Sequence, residues 1–217
     1  MTTLFRLDAS IRVDGSVTRA VADTLQSEIA EQVGDLDVVR RDVGLDPLPG
    51  DAWSLAATAG FTPTPSAEQQ QATALATTLA DEVAAADALI VASPLYNFGV
   101  PAQVKTWIDL LITDPRFAPG QESAVAGRPA FLVLARGGGY GEGTPRHGWD
   151  HATGYLRRIL GDVLGLDLDV VETELTLAEV TPAMAELRDL ARANLAEAHD
   201  TARSAARSVT LRLGAAA

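Results

Sequence analysis

Three stretches of the 217-residue chain hold the residue types that chemistry needs, each at the end of an apolar run. The first reads Ser10-Ile-Arg-Val-Asp-Gly-Ser16-Val17-Thr18 and leads directly into a helical pattern. A helix N-terminus presents unpaired backbone N–H groups and the positive end of its dipole, which suits a phosphate. Ser10, Ser16 and Thr18 add hydroxyl donors, and Ser16 also reads as an N-cap. The stretch lacks both the G-x-G-x-x-G and the G-x-x-x-x-G-K-[ST] signatures. The second stretch, Ser93-Pro94-Leu95-Tyr96-Asn97-Phe98-Gly99, gathers two aromatics, a leucine and an amide. Such a set gives apolar contact to a flat heteroaromatic ring, with Asn97 or backbone N–H groups for its heteroatoms. The third, Ala135-Arg136-Gly137-Gly138-Gly139-Tyr140-Gly141, lets the backbone approach a ligand closely and aim N–H groups at a carbonyl.

Other candidates are weaker. If helical, His147 and His151 share a face at i, i+4. Two histidines without a third ligand do not make a metal site, so no metal is expected, and with Trp149 they read as pocket-rim or helix-terminus residues. G-x-S-x-G is absent, which argues against a serine hydrolase. With no cysteine, thiolate nucleophiles and CxxC redox centres are excluded. Arg136 reads equally as a contact for a nicotinamide phosphate or as a strand-end cation paired with carboxylates. Arg12, Arg19, Arg136 and Arg146 lie in or near the three stretches and are the available source of local positive potential.

The elements that must position these loops follow from periodicity. Leu4–Ala9, Leu36–Val43, Ala88–Ser93, Ala130–Ala135 and Leu166–Val171 read as strands, several of them apolar throughout, as expected of parallel strands covered on both faces. Val17, Val21, Leu25, Ile29 and Val33 make one helical stripe that stops at Gly34. The prolines of Gly44–Pro65 imply an irregular crossover with a turn of helix near Trp53. Ser66 and Gln69 form a capping box for an Ala-rich helix to about Ala86. Pro101 sits in the first turn of a helix faced by Val104, Trp107, Ile108 and Leu111. Trp149–Leu164 reads as a helix, and Thr181-Pro182 opens a last one to about Ser208. The order predicts an α/β, doubly wound, five-stranded parallel sheet of flavodoxin-like order with helices on both faces. It forms one domain over residues 1–208, with 209–217 as a loose tail. In such sheets ligands bind beyond the carboxyl ends of the strands, which is where the three loops converge.

Composition narrows the class. There are 17 basic and 29 acidic side chains, for a formal charge of −12. That argues against a nucleic-acid binder and against docking on anionic membranes. No apolar run approaches the roughly 18 residues of a membrane span. The first residues do not read as a signal peptide, so a cytoplasmic protein is expected.

The combination S-x5-S-x-[ST], P-[LM]-Y-N-F and R-G-G-x-[YH], in this order, resembles the FMN-dependent NADH:azoreductase (NADH:quinone oxidoreductase) family of flavodoxin-like fold. Asp42–Pro49, Phe61–Pro94 and Gln103–Leu111 follow the family pattern as well. The resemblance implies that Ser10, Ser16, Val17 and Thr18 hold the FMN phosphate. Leu95, Tyr96, Asn97 and Phe98 line the isoalloxazine, and Ala135, Arg136, Gly137 and Gly138 meet its pyrimidine end. Tyr140 stands beside the ring, and no side-chain acid is assigned. The implied activity is ping-pong, two-electron reduction of quinones and azo (also nitro) aromatics by NADH or NADPH, in a homodimer. The loop 113–128 shapes the substrate pocket, and Ala9 and Ala135 replace hydroxyl residues common in the family. The alternative is a non-catalytic electron carrier or flavin-binding module.

Overall fold

The structure, a computed structural model, describes residues 1–216. Five strands, β1 (Thr2–Asp8), β2 (Leu36–Asp42), β3 (Ala88–Pro94), β4 (Pro129–Ala135) and β5 (Asp167–Thr173), form one sheet in the order β2-β1-β3-β4-β5. Every pair is parallel. This is the doubly wound flavodoxin-like order, whose switch point lies between β1 and β3.

Side chains alternate along each strand, so both faces must be covered. Phe5, Leu7, Leu89, Val91, Leu132 and Leu134 enter one core, with α2 (Ala52–Ala59), α3 (Ala67–Ala84), α4 (Ala102–Thr113) and α5 (Thr153–Arg157). There the Phe5 and Trp107 rings stack at 5.9 Å. Leu4, Ile90, Phe131 and Val133 enter the other core, with α1 (Val17–Val33), α6 (Arg188–Arg207) and α7 (Val209–Ala216). Truncating a buried leucine of either layer, such as Leu132→Ala, is expected to cost about 2–5 kcal/mol.

Local signals explain most element ends. Ser16 caps α1, and Gly34 ends it with φ +79°. Ser66 and Gln69 make both halves of the capping box of α3. The differences from expectation have physical causes. The crossover helix near Trp53 extends over Ala52–Ala59. Pro101 is the N-cap of α4 rather than part of its first turn. Helix begins at Thr153, not Trp149, with Ala152 as its N-cap, because Asp150 Oδ1 holds the preceding turn by accepting from the Ala152 and Thr153 N–H groups at 2.9 Å. It continues as a π-turn over Arg158–Val163. After Thr181 the chain forms a 3-10 segment (Pro182–Leu187) kinked at Met184, and α6 starts only at Arg188. The segment read as a loose tail is helix α7 to Ala216, while residue 217 lies outside the described residues. Val209 is fully buried against the sheet, and Arg212 pairs with Asp167 and Asp169 of β5.

Candidate functional site

At the carboxyl end of β1 the chain passes through Ala9 and Ser10, both buried, and loops out before α1. Ser16 Oγ lies 3.5 Å from the Arg19 N–H that it accepts from and 3.4 Å from Thr18 Oγ1. The Val17 and Thr18 amides donate to no protein acceptor, as expected in a first helical turn. Ser10 Oγ accepts from the Arg12 N–H at 3.2 Å. Gly44 packs so tightly beneath this loop that a Cβ there would stand 2.2 Å from the Ser10 carbonyl oxygen.

The second loop reverses in two residues. Tyr96 and Gly99 exchange backbone hydrogen bonds, and Asn97 and Phe98 between them take φ +49° and +69°. Left-handed backbone at two successive non-glycine residues costs free energy, and such strain concentrates at functional sites. Tyr96 turns back to the first loop, where its hydroxyl lies 3.2 Å from the Ile11 N–H and 3.5 Å from Ser10 Oγ. Phe98 points the other way, edge-on to Trp149 at 5.3 Å, and its carbonyl accepts from the His151 N–H at 2.9 Å. His147 and His151 therefore lie in exposed non-helical loop, not on one helical face.

In the third loop, Gly137 and Gly138 accept from Leu177 and Leu175, while their own N–H groups donate to no protein acceptor. A Cβ on Gly137 would meet Leu177 Cδ1 at 2.7 Å. The structure brings Ser10, Ser16, Val17, Thr18, Leu95, Tyr96, Ala135 and Gly137 together around one cavity of about 140 Å³. Asn97, Phe98, Arg136 and Gly138 do not line it. Arg12, Pro94, Thr176 and Leu177 complete the wall. Thr176 and Leu177 escaped the sequence reading. Their only signal is position, in the loop after the last strand.

The four arginines divide into two kinds. Arg19 is a staple: its guanidinium reaches Asp42 at 2.6 and 2.9 Å, the Ser10 carbonyl at 2.7 Å and the Arg12 carbonyl at 3.1 Å. Burial opposes ionisation of Asp42, but Arg19, the Leu45 N–H and the charge of Arg40 outweigh it and hold the carboxyl below its ordinary value. Under this staple the buried Asp8 is held by Arg6 and Arg40. Arg136 is spent too, against Asp150 at 2.7 Å, Glu172 at 2.9 Å and Glu174 at 3.6 Å. Of its two readings, the strand-end ion pair is the one present. Burial also opposes ionisation of Asp150, yet the Thr153 hydroxyl, two backbone amides and Arg136 hold it below its ordinary value. Arg12 and Arg146, in contrast, pair with no carboxylate among the described residues. Arg146 lies over the Tyr140 ring at 5.9 Å and against Gly138.

Residues 1–198 match a family described as flavodoxin-like fold. An FMN-dependent NADH:quinone oxidoreductase of Streptomyces avermitilis is 38% identical, covering 99% of this chain and 100% of the relative. Among solved structures, an azoreductase from Bacillus anthracis superposes with TM-score 0.78 at 24% identity, covering 96% of this chain and all of that one. An FMN-dependent NADH-azoreductase of the same species, in complex with FMN, gives TM-score 0.73 at 18% identity, covering 95% and 100%. At these identities the two structures speak for the fold alone.

Proposed function

The chain belongs to the FMN-dependent NADH:quinone oxidoreductase family, and we propose on that premise that it binds FMN across the three loops and reduces quinones and azo aromatics with NADH or NADPH. Nitroaromatics fit the same open, apolar approach. The observation that carries the reading is the wall of the cavity. In a chain of net charge −12 it holds hydroxyls from Ser10, Ser16 and Thr18, the unpaired Arg12, and no carboxylate. That donor set fits a phosphate monoester, and the apolar remainder, Leu95, Tyr96 and Leu177 over Gly137, fits a flat ring system.

Bound FMN supplies two-electron redox chemistry. The protein supplies position. The Val17 and Thr18 amides and the three hydroxyls hold the phosphate, and Arg12 balances its charge. Tyr96 ties the phosphate loop to the ring loop, so the two cannot separate without breaking that contact. The N–H groups of Gly137 and Gly138 are the donors available for negative charge at the pyrimidine edge. Leu95 and Leu177 would exclude water from their side of the cavity. A nicotinamide donor and an aromatic acceptor would use the cavity's open side in turn, the order of a ping-pong reaction. Phe98 and Trp149, packed edge-on, are 39% and 51% exposed, and this apolar edge supports a homodimer that covers it. Within the described residues no helix is long and apolar enough to cross a membrane.

Comparing FMN with riboflavin by titration tests the assignment. The loop donors predict that FMN binds at least about 100-fold more tightly, since charge-assisted hydrogen bonds contribute about 1.5–3 kcal/mol each. Equal affinities would remove the phosphate-loop assignment.

A further inference from the structure

A second and larger cavity, about 390 Å³, opens beside the phosphate loop. It lies between the first turn of α1 and the start of α6, under the segment that follows β5. Its wall is mainly apolar: Val17, Ala20, Leu175, Val180, Ala191 and Leu195. Its volume falls within the range of small-molecule sites.

Two polar features of the wall point to a ligand. Thr173 is only 4% exposed, and its hydroxyl has no hydrogen-bond partner. Burying an unpartnered hydroxyl is costly, and native structures seldom leave one without a reason. The second feature is charge. Glu174 is taken up by Arg136 and the Tyr140 N–H, and Glu179 pairs with Arg192 at 2.8 Å. Arg12, which lines both cavities, is the one charged wall residue with no partner of opposite sign among the described residues. The wall therefore offers an apolar body, the unpartnered Thr173 hydroxyl beside those of Ser16 and Thr176, and one unpaired cation.

We propose that this slot is a second ligand site, distinct from the flavin ring site, for a small organic anion with a flat apolar body, such as an aromatic carboxylate. The anionic head meets Arg12, and the body packs between α1 and α6. Arg12, Ser16, Val17 and Thr176 border both cavities, so an occupant of the slot senses whether the phosphate cavity is filled and binds more weakly when Arg12 already meets the phosphate. The inference rests on the flavin reading only in assigning the neighbouring cavity to the FMN phosphate.

The test is calorimetric titration of the full chain with naphthalene-2-carboxylate, once alone and once with FMN saturating. One molecule per chain is expected in both titrations, with affinity falling as salt rises. Thr173→Val keeps the shape and removes the hydroxyl. It should weaken the probe by about three- to tenfold while leaving thermal stability unchanged or higher. Ala191→Phe fills the slot and should abolish probe binding, and Leu195→Phe gives an independent filling variant should Ala191→Phe misfold. NADH turnover should persist in all three variants. Stoichiometric displacement of the probe by FMN would overturn the proposal, because the slot would then belong to the flavin site. So would no binding at millimolar probe, or equal affinity in the filled variants. The FMN titration itself is read separately, so a failure of the flavin reading shows as absent FMN binding whatever the probe does.

Discussion

Replacing Arg19 by lysine keeps a cation opposite Asp42 but removes the fork that grips the phosphate loop. In the structure, that fork reaches the Ser10 carbonyl at 2.7 Å and the Arg12 carbonyl at 3.1 Å. A lysine ammonium beside Asp42 cannot reproduce both in the same plane. Each lost charge-assisted bond contributes about 1.5 kcal/mol at the low end, so about 3 kcal/mol of loop order disappears. A ligand that must restore the order binds more weakly by that amount. At about 1.4 kcal/mol per factor of ten, the Kd for FMN should rise by about 100-fold. The loss is local, since Arg6 and Arg40 still hold Asp8, so the melting temperature should fall only slightly. The assay is quenching of free FMN fluorescence on titration, beside a thermal melt. An unchanged Kd, within about threefold, would refute the claim that Arg19 shapes this loop. A global loss of stability would show that Arg19 is part of the core rather than a staple of the site.

Other perturbations separate structural from functional cations and glycines. Gly44→Ala should lower the urea midpoint by the equivalent of about 1–3 kcal/mol and weaken FMN, because the new Cβ would meet backbone atoms of Ser10 and Ala9 that cannot move aside. Arg136→Gln should cost about 3 kcal/mol in urea unfolding by removing the buried cation that Asp150, Glu172 and Glu174 share. Arg146→Gln should leave stability within about 0.5 kcal/mol and raise the KM for NADH severalfold. If the two arginines exchange these effects, the division drawn between them is wrong. Acid should act through Asp42 and Asp150, whose folded-state pKa values are depressed. Such groups add stability that is fully present above the ordinary carboxylate pKa of about 3.9 and is lost as pH falls toward the folded value. Burial also lowers the His199 pKa, so the urea midpoint should soften slightly below about pH 6.5 and drop steeply below about pH 4. A midpoint that stays level from pH 5 to pH 3 would contradict this.

The sheet was legible because β3 and β4 are apolar on both faces, and five strand-like runs separated by helical stripes admit few arrangements. The three loops were legible for the opposite reason, since hydroxyls, glycines and an aromatic turn stand at strand ends where a plain surface has no use for them. What stayed hidden depends on contacts far apart in sequence. Nothing local says that Arg19 turns to Asp42, so it reads as a free cation, and the paired reading of Arg136 could not name Glu172 on the next strand. Leu177 and Thr176 carry no motif and join the site only because β5 ends beside β4. Residues 209–216 look like a polar-apolar remnant until Arg212 finds Asp167 and Asp169 on the edge strand. A helix start at Trp149 is displaced to Thr153 because the turn held by Asp150 competes with the apolar pattern around it.

The central claim is best tested by loading the chain with FMN, removing oxygen and adding one equivalent of NADH, then one of a quinone, while recording the visible flavin absorption. The absorption should bleach with NADH and return in full with the quinone. Flavin that binds but keeps its colour with NADH would make the protein a carrier, and absence of flavin binding would leave the three-loop site without its ligand.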